Sequence, residues 1–469
     1  MTEPSHSAPP AAASNRMPGT VLCIVGSEAC ERFCYYGMAG ILMLYMTNRL
    51  SMAEATSKEI VHLSKMTIYL MPLLGAWLAD RWLGRYWTIM ILSLFYCLGN
   101  GVLAFSEGTH WGLFVGLALI ALGAGGIKPC VSSFMGDQFG PERQHLLPKA
   151  FGLFYWAINF GSLFAFLVIP WTRDRYGYAW AFGVPGILML LAWALFAAAT
   201  PWYVRLPPSK PSQRAGFFRV LLTALGRRGK PRPAGSSFLD AARAAHGDEA
   251  VDSAKMMLGI FSLFAVAPFF WALYDQTSTS WIVQGSRMIP FKLCGWALDG
   301  ETMQSINPVL VMLLIPLLTV LVYPLLARRG RDVSPLPRMA CGMGLLAAAF
   351  VVTGVMQLRL DAGVQLSILW QLLPYALLTV GEVLFSATGL EFAYAQAPAS
   401  MKSTITSFWL LTSAIGNALV VAIAWTNATF IRASGAAEFF FYAGLMAVVT
   451  AVFVLLSRRF RRRDAEGRY

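Results

Sequence analysis

Thr20-Val-Leu-Cys-Ile-Val-Gly-Ser-Glu28-Ala-Cys-Glu31-Arg32-Phe-Cys-Tyr35-Tyr36-Gly37-Met-Ala39-Gly40-Ile-Leu-Met-Leu-Tyr-Met-Thr47 is the stretch on which the reading of this chain turns. A membrane-crossing helix needs about 20 mainly apolar residues, and this run is long enough. It is too long and too charged for the apolar core of a cleavable signal. Inside it, Glu28, Glu31, Arg32 and Tyr35 recur at i, i+3, i+4 and i+7, which puts them on one helix face. Ionised groups at membrane depth are costly. That face must therefore look into a polar interior shared with other helices, so a helical membrane protein with several spans is expected.

Comparable apolar segments follow at about 59–80, 86–106, 111–135, 148–170 and 178–204, and again at 255–284, 303–327, 336–358, 364–396, 402–426 and 436–457. That predicts an all-α protein of twelve spans. The expected organisation is a flexible tail (1–18), a six-helix bundle (19–204), a basic linker (205–254), a second six-helix bundle (255–458) and a basic tail (459–469). The 469 residues are 57% hydrophobic and only 13% charged, against roughly 25% charged in soluble domains. A soluble enzyme, a disordered chain and a disulfide scaffold are excluded. Seven cysteines (Cys23, Cys30, Cys34, Cys97, Cys130, Cys294, Cys341) show no metal-binding spacing, so neither disulfide nor metal is expected.

The net charge of +13 reports topology, not nucleic acid. Basic residues favour cytoplasmic loops, and they concentrate in the linker, around Arg328–Arg338 and in Arg458–Arg463. Arg49, Lys58, Arg173, Arg175, Arg287, Lys292, Arg359 and Arg432 fall on the opposite side. Both termini are thus expected in the cytoplasm. An amphipathic piece near Phe217–Leu225 could lie on the inner membrane surface, and the basic tail could anchor to that leaflet.

Other spans repeat the polar pattern. The second offers His62, Lys65 and Tyr69, the fourth Lys128, and the fifth Tyr155, Asn159 and Ser162. The seventh carries Trp271, Tyr274, Asp275 and Ser278, and the tenth Glu382 with Ser386. Counting Glu28, Glu31, Asp275 and Glu382 against Arg32 and Lys128 leaves surplus acid. Such a cluster should hold a proton at some stage, as proton-coupled carriage requires.

Two bundles of six around a midplane cavity are the major facilitator plan. Gly75-Ala-Trp-Leu-Ala-Asp80-Arg81-Trp-Leu-Gly84-Arg85 resembles that superfamily's signature between helices 2 and 3, with Asp80 and Arg85 as a candidate cytoplasmic latch. Glu28-Ala-Cys-Glu31-Arg32-Phe-Cys-Tyr35-Tyr36-Gly37 resembles the ExxERFxYYG motif of proton-dependent oligopeptide transporters. Gly125-Gly-Ile-Lys128-Pro-Cys-Val131, Phe154-Tyr-Trp-Ala-Ile-Asn159-Phe-Gly161 and Phe270-Trp271-Ala-Leu-Tyr274-Asp275-Gln276 resemble its later signatures, as do Asn307-Pro308 and Gly389-Leu-Glu-Phe-Ala-Tyr394.

The resemblance implies an inner-membrane symporter, not an enzyme, that imports di- and tripeptides by alternating access. Protons would be its coupling ion, and it would work as a monomer without a cofactor. Glu382, Asn159 and Asn307 would receive the peptide amine and Lys128 its carboxylate. Tyr35, Tyr36, Tyr69, Trp271, Ser386 and Trp409 would line the pocket. Glu28, Glu31 and Arg32 would couple protons, together with Asp275 and His62. An anion such as nitrate, or a sensing role without flux, stays open as an alternative.

One departure bears on the site. Relatives carry an arginine soon after the paired tyrosines, at the position of Ala39 here, and it partners the helix 7 acid across the outer gate. Asp275 is left without it, and His62, which titrates near neutrality when unperturbed, is the expected replacement.

Overall fold

The computed structural model describes residues 16–208, 217–227, 237–293, 296–396, 402–426 and 435–465. Its first half holds α1 (Gly19–Leu44), α2 (Glu54–Leu78), α3 (Gly84–Phe105), α4 (His110–Asp137), α5 (Leu147–Tyr176) and α6 (Tyr178–Ala198). The short linker helix α7 (Phe217–Gly226) follows. The second half holds α8 (Asp248–Ser286), α9 (Thr302–Arg328), α10 (Pro335–Asp361), α11 (Ile368–Ala393), α12 (Lys402–Thr426) and α13 (Ala436–Ala465). A two-stranded antiparallel hairpin, β1 (Phe291–Leu293) with β2 (Trp296–Leu298), lies between α8 and α9.

Among the described residues, ten helical runs are long and apolar enough to cross a membrane. One of them, Glu54–Phe105, contains both α2 and α3. The chain reverses between these two at Gly84, whose φ of 73° is available to glycine at little steric cost. The charged α1 is the twelfth span, so six spans precede the linker and six follow it, as expected.

Each half has its own apolar core. One is built from residues between Val21 and Tyr203, with Ile282 joining it. The other runs from Phe217 to Phe460. The two halves meet where α1 touches α8, α2 packs along α12, and α5 packs along α9. Within the first half, small residues let helices approach closely. A Cβ on Gly75 would lie 2.2 Å from the Gly125 carbonyl oxygen, and one on Gly126 would lie 2.0 Å from a Leu92 methyl.

The linker differs from expectation. Residues 248–254 already belong to α8, whose first turn carries Asp248 and Glu249, where carboxylates oppose the positive end of the helix dipole. Helix α7 does not simply lie on the membrane surface. Its Phe217, Val220 and Ala224 are buried in the second core, with the Phe217 ring centroid 5.0 Å from that of Phe261. Its outer face presents exposed Phe218, Leu222 and Leu225. The following turn is fixed by a Ser237 capping box. Arg243 then bonds Asp240 (2.6 Å), Asp248 (2.6 Å) and Asp252 (2.5 Å). Helix α13 extends to Ala465, into what reads as tail. Cys294, Arg432, residues 1–15 of the N-terminal tail and 466–469 of the C-terminal tail lie outside the described residues.

Candidate functional site

Between the halves lies a cavity of about 230 Å³. Helix α1 contributes Tyr35, Tyr36 and Ala39 to its wall; α2 contributes Lys65 and Tyr69; α5 contributes Tyr155, Asn159 and Ser162. From the other half come Tyr274, Asp275 and Ser278 of α8, Asn307 of α9, and Glu382 and Ser386 of α11. Two local breaks in helix geometry aim these groups. Helix α8 tightens to a 3₁₀ turn at Asp275–Ser278. Helix α11 widens to a π-turn at Val383–Ala387, immediately after Glu382, and such single π-turns recur at functional sites.

Glu382 is held by neutral partners. Asn307 Nδ2 donates to its Oε2 at 2.6 Å and also reaches Thr379 Oγ1 at 3.2 Å. The Tyr274 hydroxyl donates to it as well. Among the described residues no lysine or arginine forms an ion pair with it. Asn159 lines the same wall but donates to the Tyr155 carbonyl oxygen at 3.0 Å.

The charged face of α1 is buried beside the cavity, not in its wall. Arg32 pairs with Glu28 at 3.1 Å and with Glu31. Lys128 Nζ sits 4.6 Å from the Tyr35 ring centroid and 4.3 Å from that of Tyr69, within cation–π range. The expected opposition of Lys128 and Glu382 across open space is therefore not what the geometry shows: Lys128 faces two aromatic rings and is absent from the wall. Trp271 and Trp409 are also set back. They stand edge to face with centroids 6.2 Å apart, and Trp409 packs on Phe264 and Phe385 in the second core.

Asp275 has a partner after all, and it is not His62. Lys65 Nζ donates to Asp275 Oδ1 and to Ser278 Oγ, each at 2.7 Å. His62 is fully buried, with Nδ1 2.9 Å from Asn417 Oδ1 and Nε2 3.2 Å from Thr279 Oγ1. Asn417 Nδ2 in turn donates to Asp275 Oδ2 at 2.7 Å. His62 thus reaches Asp275 only through an amide, because Lys65 already occupies the carboxylate. Lys65 was legible as a deep charge on the His62/Tyr69 face of α2, yet no role was assigned to it. Including it reduces the surplus acid of this region from two to one, and Glu382 is the acid of the set without an ion-pair partner among the described residues.

The second correction concerns the latch. Arg85 binds Asp137, with Nη1 2.5 Å from Oδ1 and 2.6 Å from Oδ2, while Asp80 is exposed. Arg85 opens α3 and Asp137 closes α4, so two antiparallel neighbours bring the pair together at one end. Asp80 lies on the far side of the reversal at Gly84.

Among the described residues, the ion pairs joining the two halves are Lys65–Asp275, Lys58–Glu438 (3.4 Å), and Arg173 with Glu301 and Asp299. They close the end of the molecule opposite the linker. A second cavity, about 450 Å³, opens there and is walled by Glu54, Lys58, Gln276, Ser280, Arg287 and Glu438 among others. The buried His62 and Thr279 lie between the residues of the two cavities along α2 and α8, and Asn417 of α12 joins them through His62 Nδ1.

Two six-helix halves around a charged, closed-ended cavity define a membrane protein of the major facilitator plan. The chain belongs to the POT family, whose family model (PTR2) matches residues 86–437. It is similar to the POT family transporter PepTSo, solved in meso, with 38% identity, a TM-score of 0.89, and 96% of this chain and 99% of that chain covered. It also resembles a crystal structure of a proton dependent oligopeptide (POT) family transporter, at 40% identity and a TM-score of 0.79, over 92% of this chain and all of that one (100%). Among curated proteins, Peptide transporter family 1 of Drosophila melanogaster is 39% identical over 360 residues, 73% of this chain and 48% of the relative. Human solute carrier family 15 member 1 is 36% identical over 374 residues, 73% and 52% respectively. The chain spans about half the length of these curated relatives.

Proposed function

We propose that this protein is a proton-coupled symporter that imports di- and tripeptides by alternating access, acting as a monomer in a bacterial inner membrane with both termini cytoplasmic. Membership of the POT family supports the class, and the distribution of basic loop residues supports the orientation. In that orientation the closed end would face outward, which would make this a state sealed to the outside. The observation that carries the substrate reading is Glu382: a cavity-wall carboxylate held by Asn307 and, among the described residues, ion-paired with no lysine or arginine. A peptide's ammonium group supplies the missing charge. Side-chain selectivity would be permissive, since the aromatic wall of Tyr35, Tyr36, Tyr69 and Tyr155 offers surface more than hydrogen-bond readout. Glu28, Glu31 and Arg32 would form the proton-responsive cluster beneath Lys128.

The test is uptake of labelled dialanine into liposomes holding the purified chain, with and without an inward proton gradient. Driven uptake competed by unlabelled dipeptide, and lost in Glu382→Gln, is the expected result. Uptake indifferent both to the gradient and to Glu382→Gln would overturn the reading.

A further inference from the structure

We infer that Lys65 is the carboxylate-specificity residue of the cavity, shared in alternation between Asp275 and the carboxylate of the bound peptide. The inference rests on the peptide reading above and goes beyond it by moving that role from Lys128 to a residue on another helix.

Three observations carry it. First, among the described residues Lys65 is the cation in the cavity wall, whereas Lys128 is engaged by the Tyr35 and Tyr69 rings and Arg32 by Glu28 and Glu31. Second, Lys65 and Glu382 line opposite halves of one 230 Å³ space, which presents a positive and a negative pole to a ligand with both charges. Third, Lys65 is already committed: its ammonium bonds Asp275 Oδ1 and Ser278 Oγ. A peptide carboxylate and Asp275 therefore compete for one ammonium group.

A proton settles that competition. When Asp275 Oδ1 takes a proton, the carboxylate becomes a neutral acid and the Lys65 ammonium is released with its charge intact. Asn417 continues to donate to Oδ2. Lys65 then pairs with the peptide carboxylate, so proton binding and substrate binding favour each other, and reciprocity follows from linkage. The Lys65–Asp275 bond also joins α2 to α8 across the closed end, so its exchange loosens the gate in the same step.

Other charged or titratable groups face Asp275 from each packed element. They are Tyr35 and Tyr36 on α1; His62 and Tyr69 on α2; Lys128 on α4; Tyr274 on α8 itself; and Glu382 on α11. From α12 the neutral Asn417 intervenes. A test must therefore isolate the carboxylate from everything else that titrates. Comparing dialanine with dialanine amide does so, because both carry the same amine and only one carries the carboxylate.

Binding of each is measured by calorimetry on the purified full chain in nanodiscs from pH 5 to pH 8. The wild type is expected to prefer dialanine by about tenfold to a hundredfold at low pH, the span of one charge-assisted hydrogen bond, with the preference shrinking as pH rises. Lys65→Met should bring the ratio near one at every pH, and Lys65→Arg should keep it. Asp275→Asn should hold it high and independent of pH. Thermal melting verifies that each variant is folded. Should Lys65→Met fold poorly, Lys65→Met/Ala39→Arg returns a cation to the same wall from α1 and should restore the preference. A wild-type ratio preserved in folded Lys65→Met, or a ratio that does not rise on acidification, overturns the inference. Binding of neither peptide by the wild type overturns the peptide reading itself.

Discussion

The crossing of α2 and α4 offers a perturbation whose size can be worked from distances. A methyl group at Gly75 would meet the Gly125 carbonyl oxygen at 2.2 Å and the Gly126 Cα at 2.8 Å, whereas ordinary contact begins near 3.4 Å. Both obstacles are backbone, so no rotamer change relieves them. The helices must part by about 1.2 Å, the difference between the two distances. At the same crossing a Cβ on Gly125 would meet Met71 Cβ at 2.2 Å, so the contact is tight from both sides. Overpacking of this kind costs about 1–3 kcal/mol, and the upper end is expected where backbone meets backbone. Gly101 of α3 and Gly344 of α10 are the controls: a Cβ at either meets nothing within 4 Å. Alanine there should be neutral or stabilise by about 0.5–1 kcal/mol through helix propensity. Unfolding in mixed micelles, comparing Gly75→Ala with Gly101→Ala and Gly344→Ala, should give the first a clearly earlier midpoint. The same variant should weaken dipeptide binding, because α2 carries Tyr69 and α4 carries the Lys128 that stacks on it. Equal midpoints for all three variants would refute the argument.

The Arg85–Asp137 pair is partly exposed, so Arg85→Ala should lower stability by no more than about 1 kcal/mol and Asp80→Asn by nothing measurable; both are read from melting curves. Arg173→Ala leaves the buried Glu301 carboxylate without its guanidinium, at a cost of about 3–5 kcal/mol. Labelling of Ala39→Cys, in a chain otherwise freed of cysteine, by an impermeant thiol reagent from the closed end should then rise at least tenfold, and Glu301→Gln added to Arg173→Ala should reverse most of the rise. In the linker, burial alone would raise the Asp240 pKa, but hydrogen bonds from Lys255, Arg243 and the Ser237 amide outweigh it and hold the carboxyl below its ordinary 3.8. Because the folded value is the lower one, the linker's stabilisation is complete above about pH 3.8 and disappears as pH falls through the folded value. Cleavage at the linker by an acid-active protease should set in over that window, and Lys255→Met should move the onset upward.

The twelve spans were legible because apolar length is a local property that no tertiary contact overrides. Which face of α1 turns inward was legible for the same reason: periodicity fixes the relation between Glu28, Glu31, Arg32 and Tyr35 within one helix. Partnership between helices was not. Asp80 and Arg85 are close in sequence, yet the reversal at Gly84 sends Arg85 toward the end of α4. Trp271 shares α8 with the wall residues Tyr274, Asp275 and Ser278, but its ring, like that of Trp409 on α12, turns toward the second core. The sequence named Lys65 as a deep charge and named Asp275 as an acid short of a partner. Only the packing of α2 against α8 and α12 shows that each solves the other's problem.

That solution has a consequence for how the closed end opens. Two ions removed from water lose several kcal/mol of hydration each, and their mutual attraction recovers little more than that loss, while breaking the pair by deleting one partner costs about 3–5 kcal/mol. Lys65–Asp275 and Arg173–Glu301 therefore add little net stability to the closed state, but each strongly opposes any opening that leaves its members unpaired. A gate built from such pairs can open when every member acquires a new partner in the same step. Arg173, about as buried as Lys65 and Asp275, keeps the exposed Asp174 as a partner when Glu301 moves away. Lys65 and Asp275 have the His62, Thr279 and Asn417 layer on one side and the 230 Å³ cavity on the other, so a new partner reaches them from the cavity. The replacements that fit are an anion for the lysine and a proton for the carboxylate. A gate sealed by hydrophobic contact alone would make no such demand, and would open as readily on an empty cavity as on a loaded one.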